Sequence, residues 1–311
     1  MKYIFSVLLI LLSFFCGISA AAFSEPDSLM AARGDSLGAE KKVQLNAPRE
    51  ADTTQSIPWH QMITRIPEDY SSFFKTTFSS KALPVVAGLA ALTGLLMTVD
   101  EPLGSWSHSL VHKSEGYNRF SRLMVEFGDG RYHFLFAGAL SLYGISAGDS
   151  RALSTASNIA EGIIASGIVV QVLKRITGRQ SPEASGNDAG EWRLLPNPQK
   201  YQRNQPKYYA FPSGHITTAS LTVTVLANNY PEIKWIRPVG YALVGGLGIG
   251  LMSKGMHWIS DLPLGILLGY TFGNIVAPEK RSSPGEATKG GLSVLPLFSP
   301  DSYSLMFAYR F

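Results

Sequence analysis

The sequence predicts an all-α fold, a bundle of about six apolar helices, with a small β-hairpin at the C-terminal end. Three observations carry this prediction. Apolar runs of helical length recur between residues 83 and 277, with Gly and Ala spread through them. Polar segments containing Gly, Pro, Asn and charged residues separate the runs. Alternation of period two is confined to the tail, where Tyr303, Leu305, Phe307, Tyr309 and Phe311 occupy every second position.

The chain has 311 residues, of which 45% are hydrophobic and only 16% charged, below the roughly 25% of an ordinary soluble domain. Mean hydropathy is nonetheless only +0.08, less apolar than a dense multi-span transporter. The formal net charge of +4 suits an anionic substrate or lipid surface. No dense Lys/Arg run points to nucleic acid.

The elements follow in order. Lys2, the apolar run 4–15 and the small residues Gly17, Ser19, Ala20, Ala21 and Ala22 form the pattern of a secretory signal peptide over residues 1–22. Its removal also removes Cys16, the single cysteine, and with it any disulfide or thiol chemistry. Residues 23–80 are a flexible exported leader, ending in a segment whose Trp59, Tyr70, Phe73, Phe74 and Phe78 suit an amphipathic or interfacial role. The helical domain spans 81–278, with apolar stretches at 83–99, 132–148, 152–173, 215–228, 236–252 and 258–277. Residues 99–131 and 174–211 are read as connections, the second long enough to be functional. Glu161 lies inside an apolar stretch, as a functional group or an internally paired one. Gly245, Gly246, Gly248 and Gly250 would let helices approach closely. The tail, 279–311, holds two strand-like segments around Ser299-Pro300-Asp301-Ser302. Its aromatic end resembles the last strand of an outer-membrane barrel, but one hairpin cannot close a barrel.

Three short segments carry chemistry. In Phe211-Pro212-Ser213-Gly214-His215, proline suits the first turn of a helix, and Ser213 and Gly214 offer a hydroxyl and open amides to an anion. His215 stands at the edge of that site, where it can donate a proton to a leaving oxygen. In Lys254-Gly-Met-His257-Trp-Ile-Ser-Asp261, a spacing of four places His257 and Asp261 on one helical face. The carboxylate there can fix the imidazole tautomer, leaving the other nitrogen to attack. In Lys174-Arg-Ile-Thr-Gly-Arg179-Gln-Ser181-Pro182, Lys174 and Arg179 bring positive charge to the end of an apolar helix. Phosphoryl transfer needs such charge on the equatorial oxygens. Each segment has a structural reading of its own: a helix cap with a buried histidine, a capping contact, and a basic C-terminus complementing the helix dipole. His108 and His112, also four apart, form a possible metal pair without a third ligand at suggestive spacing.

Taken together, in this order and helical context, the three segments resemble the type 2 phosphatidic acid phosphatase/haloperoxidase family over about residues 80–277. The resemblance implies a helical bundle like that of acid phosphatases and vanadium haloperoxidases. It implies that Lys174, Ser213 and Gly214 bind phosphate, that His215 is the general acid, and that His257 is the nucleophile oriented by Asp261. It implies no metal or other cofactor for hydrolysis. Two positions depart from the family pattern: its first-motif arginine falls on Ser181, and its third-motif Ser-Arg pair falls on Gly250-Leu251. Arg179 and Lys254 are the nearby candidates to replace the missing arginines as phosphate ligands.

The function expected is a metal-independent phosphatase acting on a lipid phosphate or isoprenyl pyrophosphate through a phosphohistidine. The alternatives are a non-catalytic envelope scaffold on the same fold and a vanadate-dependent haloperoxidase. The expected location is the cell envelope, after export, in association with a membrane on the periplasmic side or in the inner membrane.

Overall fold

The computed structural model describes residues 61–185 and 190–278, and the backbone of Gly291–Ser299 and Ser302–Arg310. The expected signal peptide and most of the leader lie outside the described residues. The chain falls into two compact units, Met1–Pro278 and Glu279–Phe311.

The first unit is helical. Its principal helices are α1 (Ile66–Thr77), α2 (Leu83–Met97), α3 (Asp100–Lys113), α4 (Glu115–Gly128), α5 (Gly130–Ala147), α6 (Ser150–Thr177), α7 (Gly214–Asn229), α8 (Ile236–Ser253) and α9 (Leu262–Val276). The six apolar stretches appear as α2, α5, α6, α7, α8 and α9. The region 99–131, read from sequence as a connection, is instead the helices α3 and α4. Their apolar residues are spaced to cover one face only, so neither has the continuous apolar run by which the other helices announce themselves. Ser114 begins α4 with a side-chain cap to the Tyr117 amide, and Asp129 begins α5 by accepting from the Arg131 amide.

The core lies between α6, α7 and α9, around Ile159, Leu221, Val225, Leu268 and Phe272. α1 closes one side of it: Phe73 stacks on Phe272 at 4.8 Å between centroids, and the Tyr70 hydroxyl donates to the Ala165 carbonyl at 3.1 Å. Contact between α7 and α9 is close because α9 carries glycines every fourth residue. A Cβ on Gly269 would run into the Thr217 carbonyl and lie 2.7 Å from Ser220 Cβ. One on Gly273 would lie 2.6 Å from Thr224 Cβ. On α8 the small residues divide: Gly250 is pressed against Ser121 and Met124, whereas a Cβ on Gly245 meets nothing within 4 Å.

The outer surface is apolar. Leu135, Leu142 and Ile145 on α5 and Ile168 and Val172 on α6 are exposed, a larger apolar surface than water tolerates without a partner. Three segments are long and apolar enough to cross a membrane, Ser150–Thr177, Ile236–Ser253 and Ile259–Val276. α2 and α3 form a bent pair, at 61°, that passes the same test together. The chain is a membrane-associated protein. Glu161, inside α6, is fully buried, and its nearest cation is Arg65, with Nε at 3.7 Å.

The second unit is the expected hairpin. Gly291–Ser299 pairs antiparallel with Ser302–Arg310, in a register that sets Val294 opposite Phe307 and closes at Ser299 opposite Ser302.

The glycine contacts predict a contrast measurable by thermal unfolding in detergent. Gly269→Val should destabilise by about 1–3 kcal/mol through overpacking. Gly245→Ala should be neutral or stabilising by up to about 1 kcal/mol, because it raises helix propensity in open space. Equal effects at the two positions would refute the packing account.

Candidate active site

Five helix ends meet at one end of the bundle. They bring together the α2–α3 joint at Asp100, the α4–α5 joint at Asp129, the end of α6 at Lys174, the start of α7 at Ser213-Gly214-His215, and the α8–α9 joint at His257–Asp261.

The start of α7 is built as an anion site. Ser213 is its N-cap, with Oγ 3.5 Å from the Ile216 amide it accepts from, so the hydroxyl proton remains available to donate. Pro212 lies one residue before this cap, outside the first turn that the sequence suggested for it, because capping by Ser213 starts the helix at Gly214. The amides of Gly214 and His215 lie in the first turn, where no helical carbonyl reaches them. His215 lines the adjacent cavity, its ring edge-on to His257 at 6.2 Å. Burial, with His257 and Lys174 nearby, pushes its pKa down to about 4, so the imidazole is neutral at pH 7.

His257 is buried, and its two nitrogens have different surroundings. Nδ1 lies 2.7 Å from the Ala210 carbonyl, which can only accept, so Nδ1 carries the proton. Asp261 Oδ2 is further away, 3.5 Å from Nδ1. Nε2 is buried and has no hydrogen-bond partner among the described residues. The Nδ1–H tautomer therefore leaves the lone pair on Nε2. Burial lowers the His257 pKa, which keeps that lone pair unprotonated near neutrality.

The proximity of His257 and Asp261 has a different origin from the helical face the spacing suggested. His257 precedes the 3-10 turn Ile259–Asp261, and Trp258 caps that turn. Asp261 folds back to accept from the Trp258 amide at 2.8 Å, and this capping contact points its carboxylate at the preceding imidazole.

The candidate phosphate ligands are dispersed. Lys174 is buried at the end of α6, its ammonium 5.0 Å from the centre of the Tyr209 ring, and it lines the same cavity as Gly214 and His215. Lys254 is the C-cap of α8 and donates to Asn118 Oδ1 at 2.6 Å, and the left-handed Gly255 then separates it from His257. Arg179 is fully buried, held by Asp100 at 2.6 Å and by Asp261. Its guanidinium is enclosed by Trp192 at 4.8 Å and Trp258 at 5.9 Å.

Three residues that sequence reasoning did not single out belong to this region. Asp100 pairs with Arg179. Asp129 shares the cavity with His215, and its carboxylate opposes the lowering of the histidine's pKa. Arg175 also lines the cavity, with Nη1 donating to the Gln171 side chain at 2.7 Å. The Asp-Gly step before an apolar run could have marked Asp129 as a helix cap. Asp100 carries no spacing signal.

The cavity measures about 790 Å³. One end is polar, with Lys174, Tyr209, Gly214 and His215, while Phe134, Ile163, Ile164 and Ile168 form an apolar side. His108 and His112 lie elsewhere, on α3. His108 Nδ1 contacts the Ser253 carbonyl at 3.1 Å, and the two Nε2 atoms are 3.2 Å apart. Among the described residues no group of three or more metal-ligating side chains forms.

A helical, membrane-associated bundle with two histidines and an anion-ready helix start at one end is an arrangement suited to phosphoryl-transfer chemistry. Residues 155–279 match the model of the PAP2 superfamily. The matched stretch contains all three motif segments. The structure is also similar to the crystal structure described as the first transmembrane PAP2 type phosphatidylglycerolphosphate phosphatase from Bacillus subtilis. The similarity is at 12% identity with a TM-score of 0.42, covering 70% of this chain and 94% of that one. No curated protein matches the chain.

A histidine that binds its proton more weakly folded than unfolded contributes stability that is complete above the unfolded value, about 6.5. That stability is lost as pH falls from there toward about 4. The protein should therefore lose on the order of 2–3 kcal/mol across this window through His215. In denaturant titrations at pH 7 and pH 4.5, His215→Gln should show a smaller acid loss than wild type. An equal loss would mean that His215 is not held neutral.

Proposed function

We propose that the protein is a metal-independent phosphatase acting on a phosphate ester or pyrophosphate attached to a long apolar chain. The observation that carries this reading is a buried histidine whose Nδ1–H is tied to a backbone carbonyl and whose Nε2 has no partner among the described residues, its ring 6.2 Å from that of His215, which lines the cavity with Gly214 and Lys174.

In the first step, His257 Nε2 attacks phosphorus, the P–N bond forms and the P–O bond to the leaving group breaks. The anionic substrate opposes the burial that keeps His215 neutral, so His215 enters this step protonated and passes its proton to the leaving oxygen. Lys174, the Ser213 hydroxyl and the Gly214 and His215 amides face the equatorial oxygens, where charge spreads in the transition state. In the second step the now neutral His215 takes a proton from water. The hydroxide oxygen bonds to phosphorus, the P–N bond breaks, and His257 Nε2 recovers its lone pair as phosphate leaves.

Both Nη atoms of Arg179 are engaged by Asp100 and Asp261, and Lys254 Nζ donates to Asn118. Phosphate binding is therefore assigned first to Lys174 and the start of α7, with Arg175 as the second cation on the cavity wall. The apolar side of the cavity supports a lipid or isoprenyl chain as the leaving group, because a small water-soluble ester would leave Phe134, Ile163 and Ile164 uncovered.

Phosphate release in EDTA from lipid phosphates and isoprenyl pyrophosphates should be inhibited by vanadate. His257→Ala should abolish it, and His215→Ala should slow it about 10²–10⁴-fold. Retention of wild-type rates in His257→Ala would refute the mechanism. The apolar wall has its own test. A Cβ on Gly167, which lines the cavity, meets nothing within 4 Å, so Gly167→Leu should narrow the groove. It should raise KM for a long-chain phosphate and leave kcat/KM for a small aryl phosphate near wild type. Equal effects on both substrates would count against the chain-binding role.

A further inference from the structure

We propose that Asp100 and Arg179 are positioning residues that set the charge and orientation of His257 from behind, without touching the substrate. This rests on the reading of His257 as the nucleophile and concerns the same site. Arg179 reaches His257 by two routes. Through its side chain, Nη1 donates to Asp261 Oδ1 and, at 2.7 Å, to Ser260 Oγ, while the other Asp261 oxygen faces His257 Nδ1 at 3.5 Å. Through its backbone, the Arg179 carbonyl accepts from the Ala210 amide at 2.9 Å, and the Ala210 carbonyl accepts the Nδ1 proton of His257 at 2.7 Å. The backbone route is fixed because Arg179 bridges to Trp192 on one side and to Tyr209 on the other.

Asp100 completes the set. Its Oδ2 accepts from Arg179 Nη2 at 2.6 Å and from the Ser260 hydroxyl at 2.5 Å, and its Oδ1 accepts from the Ser260 amide at 3.0 Å. Every partner of this carboxylate is a donor, so the arrangement is that of the ionised form. The buried set therefore holds one cation between two carboxylates, and Asp100 draws part of Arg179's charge away from Asp261. What remains on Asp261 is net negative charge directed at an imidazole that becomes cationic when Nε2 bonds to phosphorus. The other groups facing His257 are Lys174, Tyr209 and His215.

A merely structural network and a charge-setting one differ in the sign of what two substitutions do. The test uses the full chain in detergent with isotopically labelled histidines. The His257 signal is assigned by its loss in His257→Gln, and its titration is followed by NMR. Asp100→Asn returns the whole Arg179 charge to Asp261 and should lower the His257 midpoint. Arg179→Gln removes that charge and should raise it. Each shift should be on the order of one pH unit for a buried charge at an effective dielectric constant of about 20. Arg179→Lys, which keeps the charge and loses the fork, should stay closer to wild type. The acid limb of kcat/KM should move in the same directions. Midpoints that do not move, or that move together, overturn the proposal. Should Arg179→Gln fail to fold, an unchanged midpoint in the near-isosteric Asp100→Asn overturns it alone. Opposite shifts in a protein that releases no phosphate would uphold the pair and instead remove the phosphatase reading.

Discussion

The site depends on one buried guanidinium. Arg179 carries a full charge out of water, at a cost of several kcal/mol unless it is paired. It is paired by carboxylates from the starts of two separate helical segments, Asp100 and Asp261. Removing either partner would leave the other charges uncompensated, so α3, the 178–181 segment and the turn before α9 are held together as one unit. Trp192 and Trp258 enclose the cation, and their rings offer it attraction where Nε finds no acceptor among the described residues. Gly178 makes the placement possible. It ends α6 in the left-handed conformation, and a Cβ there would collide with the Arg193 carbonyl, so the chain turns at once from Lys174's helix to Arg179's bridge.

From that unit the geometry of His257 follows. Ala210 and Asp261 both face Nδ1, and both are fixed by Arg179, one through its backbone and the other through its side chain. The nitrogen that could attack a phosphate is the one left without a partner. Burial then acts in the same direction on both histidines, holding them neutral near pH 7. The cations lining the cavity, Lys174 and Arg175, belong to the end of α6, where the helix dipole also favours positive charge.

Much of this was legible in the sequence. The six apolar helices came from their continuous runs, and the hairpin from its alternation. Lys174, Gly214 and His215 gather at one cavity because the segments that carry them sit at helix ends, which composition and capping residues reveal. Three things were hidden. The amphipathic α3 and α4 have apolar residues on one face only and read as connections, so Asp100 and Asp129 were not seen as site neighbours. The spacing of His257 and Asp261 suggested a helical face, whereas a capping turn brings them together. The partners of Arg179 and Lys254 were invisible because pairing across 79 and 136 positions leaves no local mark. A basic residue near a motif looks the same in sequence whether its charge faces a substrate or a buried carboxylate.

The central claim is that His257 becomes covalently bonded to phosphorus. It is tested most directly by quenching the enzyme during turnover of a ³²P-labelled lipid phosphate and examining the label on the protein. The account predicts label that is stable to alkali and labile to acid, as a phosphorus–nitrogen bond requires, and that is absent from His257→Gln. Phosphate release without any protein-bound label, or label that persists in His257→Gln, would contradict it.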